Sequence, residues 1–290
     1  MRHPEWIKVP LTGTHETRKV LRNHGLSTVC EEARCPNQGK CFSQNTATFM
    51  ILGDRCTRNC SFCAVHSLHP EPPDSDEPRR VAEAAVKLGL EFVVITSVTR
   101  DDLNDGGAGH FVNTIKAVRN LKKSIKIEVL IPDFKGDSHA IRDVLYAGPD
   151  VFNHNVETVP RLYDTVRPQA AYLLSLEVLN MAKEISPEIK TKSGIMVGLG
   201  ETFEEVLEVM QGLRNAKCDF LTIGQYLQPR RTNIPVVEYI RPEVFDQYKE
   251  RALAMGFRAV SSSPLTRSSM NAGDLFKEAS AEYPHITDRD

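Results

Sequence analysis

The stretch Thr48-Phe-Met-Ile-Leu-Gly-Asp-Arg-Cys56-Thr-Arg-Asn-Cys60-Ser-Phe-Cys63 places a short apolar run directly before three closely spaced thiols. The run is too short for a helix and apolar throughout, as in a strand covered on both faces. Similar runs follow at Phe92-Val-Val-Ile-Thr-Ser, Lys126-Ile-Glu-Val-Leu-Ile, Val151-Phe-Asn-His-Asn-Val, residues 191–197 and Phe220-Leu-Thr-Ile-Gly-Gln. Helical periodicity fills the gaps at about 81–88, 110–121, 141–146, 173–182, 203–213 and 242–255, after a shorter amphipathic helix near 14–24. Six β/α alternations joined by short connections predict a parallel sheet wound right-handedly. Eight such units close a full barrel, so six predict an open, partial (β/α)6 barrel with an extension at each end. In such folds functional groups gather at the C-terminal ends of the strands, and the cysteine loop sits at one. Pro70-Glu-Pro-Pro-Asp-Ser-Asp-Glu-Pro78 reads as a solvated linker.

The length of 290 residues suits one such domain with additions. Hydrophobic residues at 41% and charged residues at 26% are globular values, excluding a disordered or fibrous chain. The formal net charge of −2 argues against a protein that lives on nucleic-acid phosphates. No run approaches the length of a membrane span. Residues 1–6 lack the apolar core of a secretory signal, so the expected compartment is the cytoplasm, where thiols stay reduced.

The seven cysteines form an odd total that fits a disulfide framework poorly. Cys218, at a strand entrance, reads as a small buried hydrophobe. The other six fall into two triplets. Cys56, Cys60 and Cys63 have C-x3-C-x2-C spacing, with no nearby C-x2-C or H-x3-H pair to complete a zinc finger. His66 is close, but a zinc site using it needs Cys3His geometry within one tight turn. Three thiolates on a four-iron cubane leave one iron open, which suits substrate binding rather than electron carriage. Phe62 offers a flat apolar face beside that open corner. Cys30, Cys35 and Cys41 form a C-x4-C-x5-C triplet, again without an obvious fourth ligand and without the tighter run of a bacterial ferredoxin. Two separate triplets suggest two iron–sulfur clusters.

The C-x3-C-x2-C triplet after the first strand resembles the radical S-adenosylmethionine (SAM) superfamily. With C-x4-C-x5-C ahead of it, the chain is similar to the lipoyl synthase family over nearly its whole length. Family-like stretches are Glu31-Glu-Ala-Arg-Cys-Pro-Asn37, Thr96-Ser-Val-Thr-Arg-Asp-Asp-Leu-Asn-Asp-Gly-Gly-Ala108, Phe152-Asn-His-Asn-Val-Glu-Thr158 and Lys192-Ser-Gly-Ile-Met-Val-Gly-Leu-Gly-Glu201. Arg267-Ser-Ser-Met270 matches the family's Arg-Ser-Ser-Tyr except at its last position. The resemblance implies two [4Fe–4S] clusters, with SAM consumed as co-substrate. Cys56, Cys60 and Cys63 would hold the cluster whose open iron chelates the SAM methionine. Cys30, Cys35, Cys41 and Ser269 would hold an auxiliary cluster. A serine oxygen is a harder ligand than a thiolate, giving that cluster one weaker corner suited to being consumed. Asn155 and Glu157 would meet the ribose, Ser97 would lie near the SAM methionine, and the stretch from Gly194 to Glu201 would pack near adenine.

The implied reaction inserts two sulfur atoms, at C6 and C8 of a protein-bound octanoyl-lysine. Those C–H bonds have no adjacent carbonyl, so no side-chain base can open them, and a cofactor-derived radical is the feasible route. The implied partners are octanoylated carrier domains, such as 2-oxoacid dehydrogenase E2 subunits and the glycine-cleavage H protein. An electron donor such as ferredoxin or flavodoxin is also implied, with no nucleic acid and no membrane. Residues 1–45 carry seven basic against four acidic residues, and with Arg230-Arg231 this excess suits an acidic partner domain. The expected organisation is an N-terminal extension at 1–45 carrying auxiliary ligands, a barrel at 46–260, and a C-terminal extension at 261–290 closing over the auxiliary cluster. Rival readings are a biotin-synthase-like enzyme, a methylthiotransferase, or a binding protein with two structural metal knots. A methylthiotransferase carries a separate N-terminal cluster domain and an RNA-binding module, for which 45 residues leave no room.

Overall fold

The computed structural model describes residues 4–9, 15–44 and 46–280. The first three residues of the leader reading, residue 14 of the first expected helix and residues 281–290 of the C-terminal extension lie outside the described residues. The N-terminal extension comprises α1 (His15–Asn23), β1 (Ser27–Thr28), α2 (Val29–Glu32) and α3 (Gln38–Ser43). The first apolar run is β2 (Thr48–Ile51), followed by a small parallel ribbon of β3 (Arg55–Cys56) and β4 (His66–Ser67). The alternating part runs α4 (Glu77–Lys87), β5 (Phe92–Ser97), α5 (Ala108–Leu121), β6 (Lys126–Leu130), α6 (Ser138–Tyr146) and β7 (Val151–Asn153). It continues with α7 (Tyr163–Val166), α8 (Tyr172–Ile185), β8 (Lys190–Val197), α9 (Phe203–Asn215) and β9 (Phe220–Gln225). The chain then forms α10 (Pro242–Ala254), β10 (Ala259–Ser263) and α11 (Ala272–Ser280).

The main sheet has the order β1-β2-β5-β6-β7-β8-β9-β10. All its neighbours are parallel except β1, which pairs antiparallel with β2 at Ser27↔Met50 and Thr28↔Phe49. Among the described residues the two outer strands share no ladder, so the barrel stays open. The six expected strands are present, and a seventh parallel strand, β10, continues them. Its Ser261-Ser-Ser tail hides it from a search for apolar runs: the Ser262 hydroxyl donates to Phe245 O at 2.7 Å, and Ser263 meets the Thr266 hydroxyl at 2.9 Å. The strand crosses the expected boundary between residues 260 and 261. Helix α4 likewise begins inside the expected linker, with Pro78 in its first turn, where a missing N–H costs nothing. Its Glu77 is buried, accepts from Leu52 N at 2.8 Å and pairs with His110 Nε2 at 2.7 Å.

The outer face of the sheet and the covering helices form two large apolar clusters, one around β2, β5 and β6 and one around β8 and β9. The inner face holds charge. Lys192 on β8 and Glu128 on β6 are fully buried, with Lys192 Nζ 2.9 and 3.0 Å from the two carboxylate oxygens. Breaking a buried pair strands its partner's charge, so Lys192→Met should cost about 3–5 kcal/mol in urea denaturation. Lys192→Met/Glu128→Leu should recover much of that loss. A single variant as stable as wild type would show that the pair carries no such burden. No helix among the described residues is long and apolar enough to cross a membrane.

Candidate active site

The chain leaves β2 through left-handed backbone at Leu52 (φ 67°) and Gly53 (φ 87°). That conformation costs a leucine about 1–3 kcal/mol, and the Leu52 N–H bond to Glu77 helps to hold it. The turn delivers the cysteine loop to the C-terminal rim of the sheet, where neighbouring elements clamp it. Thr57 donates from its N–H and its hydroxyl to Thr99 O, at 3.1 and 3.0 Å. Cys56 Sγ accepts from Thr99 N at 3.3 Å and Arg58 N at 3.4 Å. The Ser61 hydroxyl donates to Thr165 O at 2.6 Å, and Asn233 Nδ2 donates to Ser61 O at 3.0 Å and Cys63 O at 2.7 Å. Arg58, buried between the first two cysteines of the triplet, forks to Asp101 at 2.7 and 3.0 Å and to Asp133 at 2.6 and 2.7 Å.

The second triplet is built on two short helices. Thr28 caps α2 by accepting from Glu31 N, and Cys30 follows in its first turn. Cys35 N returns to Cys30 O at 3.1 Å, and Cys41 N in α3 to Asn37 O at 2.9 Å. Asn37 ties this segment to the C-terminal one, donating to Leu265 O at 2.6 Å and to Met270 Sδ at 3.0 Å. Met270, where the sequence departs from the family pattern, thus accepts a bond from the cysteine-bearing extension. The C-terminal segment lies so close to β9 that a Cβ on Gly224 would stand 2.1 Å from Thr266 O. Glycine is required there for the approach itself.

Both triplets open on one cavity of about 500 Å³. Its walls include Cys30, Cys35, Cys41, Cys56, Cys60 and Cys63, together with Phe62, Ser97, Asn155, Glu157 and Ser269. All the expected site residues therefore meet in one volume. Met50, Val98, Ile131 and Ile195 give it an apolar lining. All seven cysteines are free. Burial pushes the Cys30 and Cys63 thiols up to about 12 and raises those of Cys41 and Cys60, so a metal centre must displace their protons. Among the described residues no three thiol, imidazole or carboxyl groups converge on a single ion, the arrangement of a zinc knot. The six thiols line the cavity wall, and a cubane, whose ligands bind separate irons, needs no such convergence. His66 faces solvent, with Arg230 Nη2 3.2 Å from its Nε2, and takes no part. Cys218 is fully buried beside Phe220 O, as a small hydrophobe.

Three residues of the cavity wall hold a buried polar atom with no protein partner: Ser97 Oγ, His154 Nε2 and Arg167 Nε. Such orphans in an apolar wall fit a polar ligand. Desolvation holds His154 down at about 4, so the ring is neutral at pH 7, with Nδ1 3.0 Å from Ile131 O. Glu157 is left-handed (φ 67°) and pinned to β8 on both sides, Glu157 N to Gly194 O at 3.0 Å and Met196 N to Glu157 O at 2.8 Å. Burial raises its carboxyl against the opposing pull of Arg167 and Asn155. Asn155 Nδ2 donates to Glu157 Oε1 at 3.1 Å. Arg58, Asn37, His154 and Ser268 were not legible as site residues, because the partners that give them meaning are distant in sequence. The only signal was that Asn37, His154 and Ser268 stand inside the family-like stretches.

Residues 50–213 match the family model of the radical SAM superfamily. The chain is 57% identical to the lipoyl synthase of Caldanaerobacter subterraneus subsp. tengcongensis, over 94% of this chain and 96% of that relative. It is 54% identical to the lipoyl synthase of Caldicellulosiruptor saccharolyticus, over 94% and 97%. Among solved structures, methylornithine synthase (PylB) matches with a TM-score of 0.58 at 14% identity, covering 88% of this chain and 77% of that one. HydG, a maturase of the [FeFe]-hydrogenase, matches with a TM-score of 0.58 at 15% identity, covering 87% and 67%. At these identities the likeness is one of fold.

Proposed function

The chain belongs to the lipoyl synthases, radical SAM enzymes that insert sulfur, and from that premise we propose how its residues divide the work. Family membership carries with it one [4Fe–4S] cluster, SAM, and a lipoyl-carrier protein as substrate. Cys56, Cys60 and Cys63 hold the cluster that meets SAM. Cys30, Cys35, Cys41 and Ser269 hold a second. When bound, the first cluster with SAM supplies a hydrogen-abstracting radical, and the second supplies the sulfides that enter C6 and C8 of the octanoyl chain.

The protein's own part is to position and to exclude. The observation that carries this division is the single cavity lined by both triplets and Ser269. Its apolar wall suits an alkyl chain, and neutral His154 offers no proton chemistry to unactivated C–H bonds. Ser97 faces the methionine end of SAM, while Asn155 and Glu157 face the ribose. Phe62 packs beside Tyr226 and Val166 and keeps solvent from the open corner of the first cluster. Octanoylated E2 domains of 2-oxoacid dehydrogenases and the glycine-cleavage H protein are the carriers, with ferredoxin or flavodoxin as reductant. Free cysteines throughout suit a reducing cytoplasm.

Anaerobic incubation with SAM, a reductant and an octanoyl-lysine peptide tests the activity, with mass spectrometry expected to find two added sulfur atoms. An unchanged peptide beside cleaved SAM would contradict it. Ser269→Ala should still release 5′-deoxyadenosine while product falls to background. Full product from that variant would remove Ser269 from the ligand set.

A further inference from the structure

An unbroken line of hydrogen bonds crosses the barrel interior to the rim. Lys192 Nζ meets Glu128, and Asn153 Nδ2 donates to Glu128 Oε1 at 2.8 Å and to Ser268 Oγ at 2.9 Å. Ser268 Oγ then donates to Asn155 Oδ1 at 3.0 Å, and Asn155 Nδ2 to Glu157 Oε1 at 3.1 Å. Each link dictates the direction of the next. A carboxylate can only accept, so Glu128 turns the amide nitrogen of Asn153 toward itself. The amide oxygen of Asn153 is left buried without a partner, a cost that shows which group sets the orientation. Asn153 gives its second N–H to Ser268, whose single proton must then go to Asn155 Oδ1. That fixes the Asn155 amide with its nitrogen toward Glu157. The hydroxyl of Ser268 is thereby committed on both sides, while its neighbour Ser269 lines the cavity.

The same turn is held from the opposite side. Met270 N donates to Arg267 O at 3.0 Å, and Asn37, between Cys35 and Cys41, grips Leu265 O and Met270 Sδ. A shift of Ser268 therefore moves Ser269 against the extension that carries the second triplet. We propose that Ser268 is a positioning residue that couples the nucleoside end of the SAM site to the serine corner of the second cluster. This rests on the reading that Asn155 and Glu157 face the ribose and that Ser269 is a ligand. A nucleoside that stiffens Asn155 stiffens Ser268 and with it the seat of Ser269. By linkage, the second cluster tightens nucleoside binding by the same factor.

The test uses holoprotein with both clusters and S-adenosylhomocysteine, which lacks the methyl group of SAM. In wild type, this probe should slow the loss of second-cluster iron to a chelator, followed by Mössbauer spectroscopy. In Ser268→Ala that protection should vanish and the probe should bind about tenfold more weakly, the effect of about one hydrogen bond. Ser268→Thr, which keeps the hydroxyl, should restore both, and circular dichroism checks that each variant is folded. Equal protection in wild type and Ser268→Ala, or none in either, overturns the coupling and leaves the two sites standing. A wild-type protein with a single cluster, or probe binding unchanged by Glu157→Gln, overturns the site reading beneath it, and the coupling falls with it.

Discussion

Alanine at Cys56, Cys60 or Cys63 is expected to abolish 5′-deoxyadenosine formation, whereas alanine at Cys30, Cys35 or Cys41 should leave it detectable and remove sulfur insertion alone. The asymmetry follows from placement. The first triplet sits on the loop after β2, clamped by Thr99, Thr165 and Asn233 beside the residues proposed to face SAM. The second sits on the N-terminal extension, tied to the C-terminal turn through Asn37. On the proposed assignment, losing one thiolate of the first triplet removes a ligand from the centre on which SAM would be reduced. Losing one of the second leaves every thiolate of the first triplet in place and alters the Asn155–Glu157 face only through Ser268, so cleavage is weakened at most. High-performance liquid chromatography for deoxyadenosine and mass spectrometry of the peptide read the two steps separately. Identical behaviour of the two sets would dissolve the division of labour.

Arg58→Met should be the most damaging substitution outside the cysteines. Its guanidinium is almost completely buried and binds two carboxylates, one of them, Asp133, equally buried. Removing one member of such a group costs about 3–5 kcal/mol, because the remaining charge is left without compensation. For a chain of this size the unfolding temperature should fall by roughly 5–8 °C. Burial alone would raise the Asp133 carboxyl, but the bonds and charge of Arg58 outweigh it and hold the group below its ordinary value. In wild type that stabilisation is present above the unfolded aspartate value of about 3.9 and is lost as pH falls through the lower folded one. In Arg58→Met the largest opposition to burial is gone and chiefly the Lys135 N–H bond remains, so the carboxyl rises and stability should fall as pH rises toward neutral. The loop between Cys56 and Cys60 would lose its anchor, and the first cluster its iron. Thermal unfolding across pH, with iron content, measures both effects. An unchanged unfolding temperature at neutral pH would contradict the assignment.

The sequence was most legible where burial on both faces forces an apolar strand. Phe92-Val-Val-Ile and Phe220-Leu-Thr-Ile declare themselves, and six such runs were enough to imply the open barrel. Strand β10 was hidden because only Ala259 and Val260 join the apolar clusters, while the hydroxyls of Ser261-Ser-Ser meet hydroxyl and carbonyl partners and carry no strand pattern. The start of α4 was hidden by Pro78, which ends a helix from within but begins one without cost. Thiol spacing revealed the two triplets because ligands on one loop must be close in sequence. The approach of residues 30–41 to 265–270 came only through the family resemblance to Ser269, because its physical means, Asn37 and the absence of a side chain at Gly224, leave no mark in spacing or periodicity. Lys192, Glu128 and Arg58 look like ordinary surface charges until the fold buries each against its partner.

Whether one cavity seats two iron–sulfur clusters is decided by iron and sulfide analysis with Mössbauer spectroscopy on anaerobically reconstituted protein. The expected result is about eight irons and eight sulfides per chain, in two cubane environments. About four irons in a single environment, or zinc in place of iron, would contradict it.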